Sequence, residues 1–294
     1  MKLAIIISGM LRNFDHTFFA TKKFLLDDDF FDKKDIFFCG YSDNLDLDDS
    51  INRFKDLYKP KRFQIEKWNE KIKKSIELKS GSDKWEKYRT ASAVTNIMSS
   101  WRCRYIANNF KIEIEKKENF KYDLVYQLRT DLFCFNYIDH DLASKASKEN
   151  NKVYIPPDWD HKVVDPIAVG DIMAYGSSEA MNKYFSLYIY SKEYYSKGIK
   201  GHPETILGNH FKERKIKREF CNRNVAREYP YTIPEFDYLW SKWPLEEVKS
   251  DLSINEEFIK NKKLSFKKHN KFLEVILKLK NFKKLLKIFK NNTL

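Results

Sequence analysis

Short apolar runs alternate with amphipathic stretches over most of the chain. The first run, Lys2 to Ser8, is rich in isoleucine and ends at Gly9, which predicts a strand buried on both faces of a sheet. Further strands are predicted at 35–39, 62–65, 122–128, 152–155 and 170–175. Helices are predicted at 15–26, 51–58, 85–110 and 178–195 and from His202 onward. Strands separated by helices predict an α/β fold, a Rossmann-type layered sheet with helices on both faces.

The C-terminal region follows a different pattern. Strand signals stop near Trp243, and residues 266–291 are rich in lysine. Five apolar residues there fall on one face of a helix, with lysines on the opposite face: Leu279, Phe282, Leu285, Leu286 and Phe289. The sequence therefore predicts one α/β domain over residues 1–245 and a basic, amphipathic helical tail over residues 246–294.

Most of the net charge of +13 comes from residues 260–294 of this tail. Residues 260–294 hold twelve lysines and one acidic residue, Glu274, so they account for +11 of the total. Because the rest of the chain is nearly neutral and carries no nucleic-acid-binding motif, we expect no nucleic-acid partner. Two interpretations of the tail stay open: it lies on an anionic membrane surface, or its apolar face packs on the domain or on a partner subunit.

Composition narrows the class of protein further. Aromatic residues make up 16% of the chain, which indicates a folded core. No run of 18 apolar residues is present, and Leu3 to Ile7 is too short for the core of a signal peptide. We therefore expect a cytoplasmic protein, peripheral on the inner face of the membrane if the tail binds lipid. The cysteines form no CxxC pair, so we expect buried, reduced thiols at Cys39, Cys103, Cys134 and Cys221.

The sharpest candidate for chemistry is Arg129-Thr130-Asp131, which directly follows the strand predicted at 122–128. In α/β sheets, ligands bind beyond the carboxyl ends of the strands. A carboxylate at such an end can hold Mg²⁺ or Mn²⁺, which prefer oxygen ligands and neutralise phosphate groups. Arg129 can form a charge-assisted fork to a phosphate or a carboxylate. The alternative is a surface pair in which Arg129 and Asp131 close a turn.

Three more segments carry candidate chemistry. Gly9 lets backbone N–H groups approach an anion, and Arg12 adds a positive charge; otherwise this segment is an ordinary turn. Asp171 lies at the start of the last predicted strand. Glu204 lies in the first turn of the last helix before the tail. There it either stabilises the helix dipole or, in a cleft, acts as a general base for an acceptor hydroxyl.

These segments form an ordered set: ISGMLRNF at 7–14, DIFFCGYS at 35–42, YDLVYQLRTDLFCF at 122–135, VGDIMAYGSSEAMNKYF at 169–185 and HPETILGNHF at 202–211. The set resembles a family of bacterial and viral GT-A-like glycosyltransferases of surface polysaccharide synthesis. Members often begin with ISGxLR and carry YDxVxRxRxD near the middle. The resemblance covers residues 1–240 and implies a compact GT-A-like catalytic domain.

The resemblance implies roles for the first motifs residue by residue. Ser8, Gly9 and Arg12 match the nucleotide-side motif at the N-terminus. Arg129 and Asp131 match the family's RxD, the counterpart of the metal-binding DxD of other GT-A enzymes. Asp131 is therefore the implied metal ligand, for Mn²⁺ or Mg²⁺, although position 129 supplies no second carboxylate. The chain also departs from the family pattern at position 127, where glutamine replaces a basic residue.

For the later motifs, the resemblance implies roles on the acceptor side of the site. Gly170 and Asp171 match a strand that borders the sugar or the acceptor, and Pro203 and Glu204 match the helix start at which inverting GT-A enzymes keep their base. The implied function is sugar transfer from a nucleotide-diphosphate donor to a polysaccharide, lipid-linked or other glycan acceptor, with Glu204 or Asp171 as catalytic base. The alternative is a non-catalytic carbohydrate- or nucleotide-binding scaffold with the same fold.

Overall fold

A mixed sheet of seven strands forms the centre of the fold, and helices cover both of its faces. The computed structural model describes residues 1–11, 14–42, 48–85, 94–134, 136–156, 167–221 and 225–227. The strands are β1 (Lys2–Ser8), β2 (Lys33–Ser42), β3 (Arg62–Lys67), β4 (Leu124–Arg129), β5 (Leu132–Cys134), β6 (Lys152–Ile155), β7 (Ala174–Gly176), β8 (Lys217–Phe220) and β9 (Val225–Arg227). The helices are α1 (Phe14–Thr21), α2 (Asp48–Tyr58), α3 (Glu70–Ser80), α4 (Val94–Lys117), α5 (His140–Ala146), α6 (Ser178–Phe185), α7 (Leu187–Ser196) and α8 (Pro203–Glu213). A π-helical turn, Lys22–Leu26, follows α1.

The strand order of the large sheet is β3-β2-β1-β4-β7-β6-β8. Strand β7 is antiparallel to both of its neighbours, β4 and β6. The other pairs are parallel, so the remaining six strands end at one edge, here called the carboxyl edge. Strand β5 stands apart and pairs with β9 in a separate antiparallel ribbon.

Alternating side chains of β1 supply both layers of the core. Leu3, Ile5 and Ile7 pack in the core beneath α1 and α2, and Ala4 and Ile6 pack in the core beneath α4. All five residues have no exposed surface. Burying an isoleucine side chain contributes about 1.5–3 kcal/mol. The predicted α/β layered sheet with helices on both faces is therefore confirmed, and β1 is its central, doubly covered strand.

Several elements differ from the predicted ones for local reasons. The helix predicted at 178–195 is two helices, because the chain turns at Ser186, whose hydroxyl donates to the Lys183 carbonyl. Strand β7 begins only at Ala174, because the segment before it is held by α8: the Val169 N–H donates to the Glu204 carbonyl at 3.0 Å. Helix α4 continues to Lys117, beyond the predicted end at residue 110.

Some predictions fall outside the described residues. Arg12, the 245/246 boundary and the whole tail belong to this group. All four cysteines are buried and free, as expected. Among the helices of the described ranges, none has both the length and the apolar character that a membrane span requires.

Candidate functional site at the carboxyl edge

The carboxyl edge gathers the sequence motifs from four separate elements. Ser8, the last residue of β1, lies in register with Arg129, the last residue of β4. Because β7 is antiparallel to β4, the segment before it starts at the same edge, and the Gln127 side-chain amide donates to the Ile172 carbonyl at 3.5 Å. The hydrogen bond from the Val169 N–H to the Glu204 carbonyl brings the start of α8 to the same edge.

The turn after β1 is open on one side and tightly packed on the other. Gly9 has a φ of +116°, in the region that favours glycine, and a Cβ added there would meet no atom of the described residues within 4 Å. Its N–H donates to the Cys39 carbonyl, and its carbonyl oxygen would lie 2.1 Å from a Cβ at Gly40. Gly40 therefore lets this turn sit directly against β2. The Ser8 hydroxyl is buried without a hydrogen-bond partner in the described part of the chain.

Thr130 ties this turn to the end of β4. Its hydroxyl donates to the Met10 carbonyl at 2.8 Å, and its own carbonyl accepts from the Thr17 hydroxyl of α1 at 2.7 Å. Both threonine side chains are buried. The positions of the Gly9 turn, of α1 and of the residues flanking Thr130 are thus fixed by one chain of hydrogen bonds.

Arg129 and Asp131 form a bidentate ion pair. The Arg129 Nε and Nη2 atoms donate to the two carboxylate oxygens of Asp131, each at 2.8 Å. The two side chains keep 25% and 19% of their surface exposed, so the pair lies at the rim of the fold rather than free on its surface. Such a fork fixes the plane of the guanidinium group and its orientation. The geometry is that of the alternative interpretation, in which Arg129 and Asp131 pair at a turn. It differs from that interpretation in that the pair is largely buried.

This pairing bears on the predicted metal site. A divalent cation on Asp131 would have to share carboxylate oxygens that already accept from a guanidinium group. The residues that the structure describes contain no cluster of three or more His, Cys, Asp or Glu side chains that would complete a cation site. In this arrangement both carboxylate oxygens of Asp131 accept from Arg129, and Mn²⁺ or Mg²⁺ dependence stays a prediction of the sequence resemblance.

Asp171 pairs with an arginine that sequence analysis missed. The Arg104 Nη2 atom of α4 donates to Asp171 Oδ2 at 3.2 Å. Arg104 is 1% exposed and stacks on the Trp101 ring at 4.3 Å, whereas Asp171 keeps 20% of its side chain exposed. A buried guanidinium group requires a counter-charge, so the buried side of Asp171 has a structural role.

Glu204 lies in the first turn of α8 beside His202. The Glu204 Oε2 and His202 Nδ1 atoms are 3.0 Å apart, and each side chain is 13% exposed. A carboxylate in this turn also interacts favourably with the helix dipole. Further along α8, Gly208 allows close packing, since a Cβ there would lie 1.8 Å from the Ile167 carbonyl oxygen. The segment that carries Asp171 is thus packed directly on α8.

Arg104 begins a buried polar ladder along α4, which we define as Arg104, Asn108, Lys111 and Glu115. These residues recur at helical spacing on one face, and their partners lie on α6 and beside it. Asn108 donates to the Asn182 side chain, and Lys111 donates to Asn182 and Ser178. The spacing of 4, 3 and 4 residues is visible in the sequence, but charged residues at these positions suggest a solvated face.

Lys111 is a ladder residue whose pKa is shifted by its surroundings. Its side chain is fully buried, and Glu115 Oε2 lies 3.2 Å from its amino group. Burial lowers the pKa of Lys111 from 10.5 to about 8, although Glu115 acts in the opposite direction. The Ser178 hydroxyl completes the group by donating to Glu115 at 2.7 Å.

Comparisons with known proteins add one distant similarity. No protein-family model matches the chain, and no curated protein matches it either. Among solved structures, mouse xyloside xylosyltransferase 1 in its apo form is similar, with a TM-score of 0.42 and 10% sequence identity. The match covers 74% of this chain and 84% of that chain. A similarity this distant does not assign an activity.

Proposed function

We propose that the chain is a glycosyltransferase of GT-A-like architecture that binds a nucleotide-diphosphate sugar at the carboxyl edge. The observation that carries the proposal is the register of Ser8 with Arg129, because it joins an open glycine turn to a fixed guanidinium group. Ligands of α/β sheets bind at this edge, and a planar guanidinium group suits phosphate oxygens. The sequence resemblance supports the same function.

In the proposed reaction, the donor diphosphate lies over Gly9 and beside Arg129. The bond between the anomeric carbon and the diphosphate oxygen breaks, and the diphosphate leaves with the bonding electrons. The acceptor hydroxyl oxygen bonds to the anomeric carbon and gives its proton to a carboxylate. Arg129 stabilises the charge that develops on the leaving group, and Asp131 holds Arg129 in position.

The candidates for the carboxylate that takes the proton are Glu204 and Asp171. A general base of this kind contributes roughly a hundredfold to ten-thousandfold in rate. Glu204 is the better candidate, because its partner His202 can be neutral, whereas Asp171 faces the permanently charged Arg104.

The acceptor side of the proposal comes from the sequence resemblance. We propose a polysaccharide, a lipid-linked glycan or another glycan of the cell surface as acceptor. The basic tail, residues 260–294, is proposed to hold the enzyme beside an anionic membrane surface. Each lysine close to such a surface contributes about 1 kcal/mol, so twelve lysines are sufficient for peripheral binding.

One observation favours the non-catalytic alternative, a nucleotide- or carbohydrate-binding protein of the same fold. Each of the three candidate carboxylates faces a nitrogen-containing side chain: Asp131 faces Arg129, Asp171 faces Arg104 and Glu204 faces His202. Carboxylates that are paired in this way serve binding and structure without further rearrangement, whereas proton transfer requires one of the pairs to open.

Thermal unfolding with a panel of UDP-, GDP-, dTDP- and CMP-linked sugars tests the proposal. A donor at a hundred times its dissociation constant stabilises the fold by about 2.7 kcal/mol. We expect Arg129→Met to abolish this stabilisation with and without Mn²⁺. The matched control is Arg62→Met, which removes an exposed guanidinium group paired with Glu113. Unchanged donor binding in Arg129→Met would refute the proposed site.

A turnover assay distinguishes a glycosyltransferase from a protein that only binds the donor. The stabilising donor is incubated with glycan acceptors, and release of the nucleoside diphosphate is measured. Release that depends on the acceptor supports a transferase, whereas binding without release supports the alternative.

A further inference from the structure

We infer that Arg104 is a positioning residue that holds Asp171 as a hydrogen-bond acceptor for hydroxyl groups of the donor sugar. The inference rests on the proposed function and concerns the sugar part of the same site. It assigns Asp171 to sugar recognition rather than to proton abstraction, and it assigns a role to a residue of α4, remote in sequence from every motif.

The burial of Arg104 is the first observation. Its side chain is fully buried, and its guanidinium group stacks on the Trp101 ring. Its Nε and Nη1 atoms have no hydrogen-bond partner in the described residues, so within these residues the guanidinium group is held by its hydrogen bond to Asp171. The Tyr184 hydroxyl is also buried without a hydrogen-bond partner among the described residues. Burial raises the pKa of Tyr184, while Arg104 lowers it and Asp171 raises it.

The direction of Asp171 is the second observation. Its Oδ2 atom faces the buried guanidinium group, yet a fifth of the side chain remains exposed. The carboxylate thus has one oxygen anchored inside the protein, and Asp171 itself lies in the segment that precedes β7, beside the end of β4. A carboxylate accepts hydrogen bonds with both oxygens, so one that is anchored in this way presents acceptors at a defined angle.

The charge of Arg104 is the third observation. An adjacent opposite charge favours the ionised carboxylate and weakens it as a proton acceptor. The same charge leaves hydrogen bonds from neutral hydroxyl groups strong, because they are assisted by the negative charge of the carboxylate. Sugar hydroxyl groups, rather than a proton in transit, are therefore the suitable partners for Asp171.

The test compares free nucleotides with nucleotide sugars. The probes are UDP, GDP and dTDP and the corresponding nucleotide-diphosphate hexoses, measured by calorimetry on the full chain. We expect Asp171→Asn and Arg104→Met to weaken binding of the nucleotide sugar by roughly tenfold or more, as loss of a charged hydrogen bond does. Binding of the free nucleoside diphosphate stays at the wild-type level in both variants. Arg104→Lys restores part of the affinity for the sugar.

Arg214→Met is the matched control. Arg214 stacks on Tyr190 and bonds to Glu193, as Arg104 does with Trp101 and Asp171, although Arg214 is 27% exposed. It lies at the opposite end of α8 from Glu204. We expect this variant to bind both probes as the wild type does. Wild-type affinity for both probes in Asp171→Asn and Arg104→Met overturns the inference alone, as does an equal loss for both probes. A wild-type protein that binds no nucleotide overturns the proposed function and the inference that rests on it.

Discussion

The buried histidine of α8 makes stability depend on pH in a calculable way. His210 has no exposed surface, its Nε2–H donates to the Lys183 carbonyl, and its Nδ1 accepts from the Tyr194 hydroxyl, each at 2.7 Å. A carbonyl can only accept, so Nε2 carries a hydrogen, and in the neutral ring Nδ1 is then the acceptor for the Tyr194 hydroxyl. Burial lowers the pKa of His210 from 6.5 to about 4, and the nearby Arg214 acts in the same direction.

The lowered pKa sets the sign and the size of the effect. Between pH 6.5 and pH 4 the unfolded chain binds a proton that the folded chain excludes, so stability falls as the pH falls. Each unit of pKa difference corresponds to about 1.4 kcal/mol, so His210 accounts for a loss of about 3 kcal/mol across this window.

Urea unfolding at pH 7.5, 6.5, 5.5 and 4.5 measures the effect. We expect His210→Gln to be less stable than the wild type at pH 7.5, because the imidazole hydrogen bonds are lost, and the difference to narrow steadily toward pH 4.5. Tyr194→Phe is the control, since it removes one hydrogen bond and keeps the titrating ring. A difference between wild type and His210→Gln that stays constant over this range would refute the reasoning.

Two further predictions concern the polar ladder and the glycine turn. Because the folded-state pKa of Lys111 is about 8 and its ordinary value is 10.5, unfolding free energy should rise between pH 8 and pH 10, and Lys111→Met should lack this rise in denaturant titrations. Gly40→Ala should lower the free energy of unfolding by about 1–3 kcal/mol and weaken donor binding, because its Cβ would displace the Gly9 carbonyl. Wild-type stability in Gly40→Ala would contradict the close packing of Gly9 on β2.

Much of the sheet could be predicted from the sequence. The isoleucine run of β1 is confirmed, because a strand covered on both faces needs a continuous apolar run, and such a run is visible. The strands predicted at 62–65 and 152–155 are also found, as β3 and β6, although β3 lies at the edge of the sheet and is only partly buried. The sequence also predicts that Arg129 and Asp131 follow a strand, and β4 ends at Arg129. The hydrophobic pattern does not show which strands are neighbours in the sheet or in which direction they run. The antiparallel direction of β7 could therefore not be predicted.

The partners of the candidate carboxylates were harder to predict from the sequence. Asp131 and Glu204 pair with residues only two positions away, but the partner of Asp171 is Arg104, which lies 67 positions earlier in the sequence. A charged residue in a helix usually indicates a solvated face, so its burial is not predictable from its type. Gly40 gave no signal either, since its role depends on the carbonyl oxygen of a residue 31 positions earlier.

The polar ladder also determines how α4 and α6 can be redesigned. Arg104, Asn108, Lys111 and Glu115 each have a partner of fixed position, so a shift of α4 by one turn, about 5.4 Å, would leave charges unpaired in the interior. Apolar substitution of the whole ladder would remove this penalty and let the helices slide. The ladder therefore fixes the position of α4 along α6, at the cost of some of the stability that apolar side chains would provide.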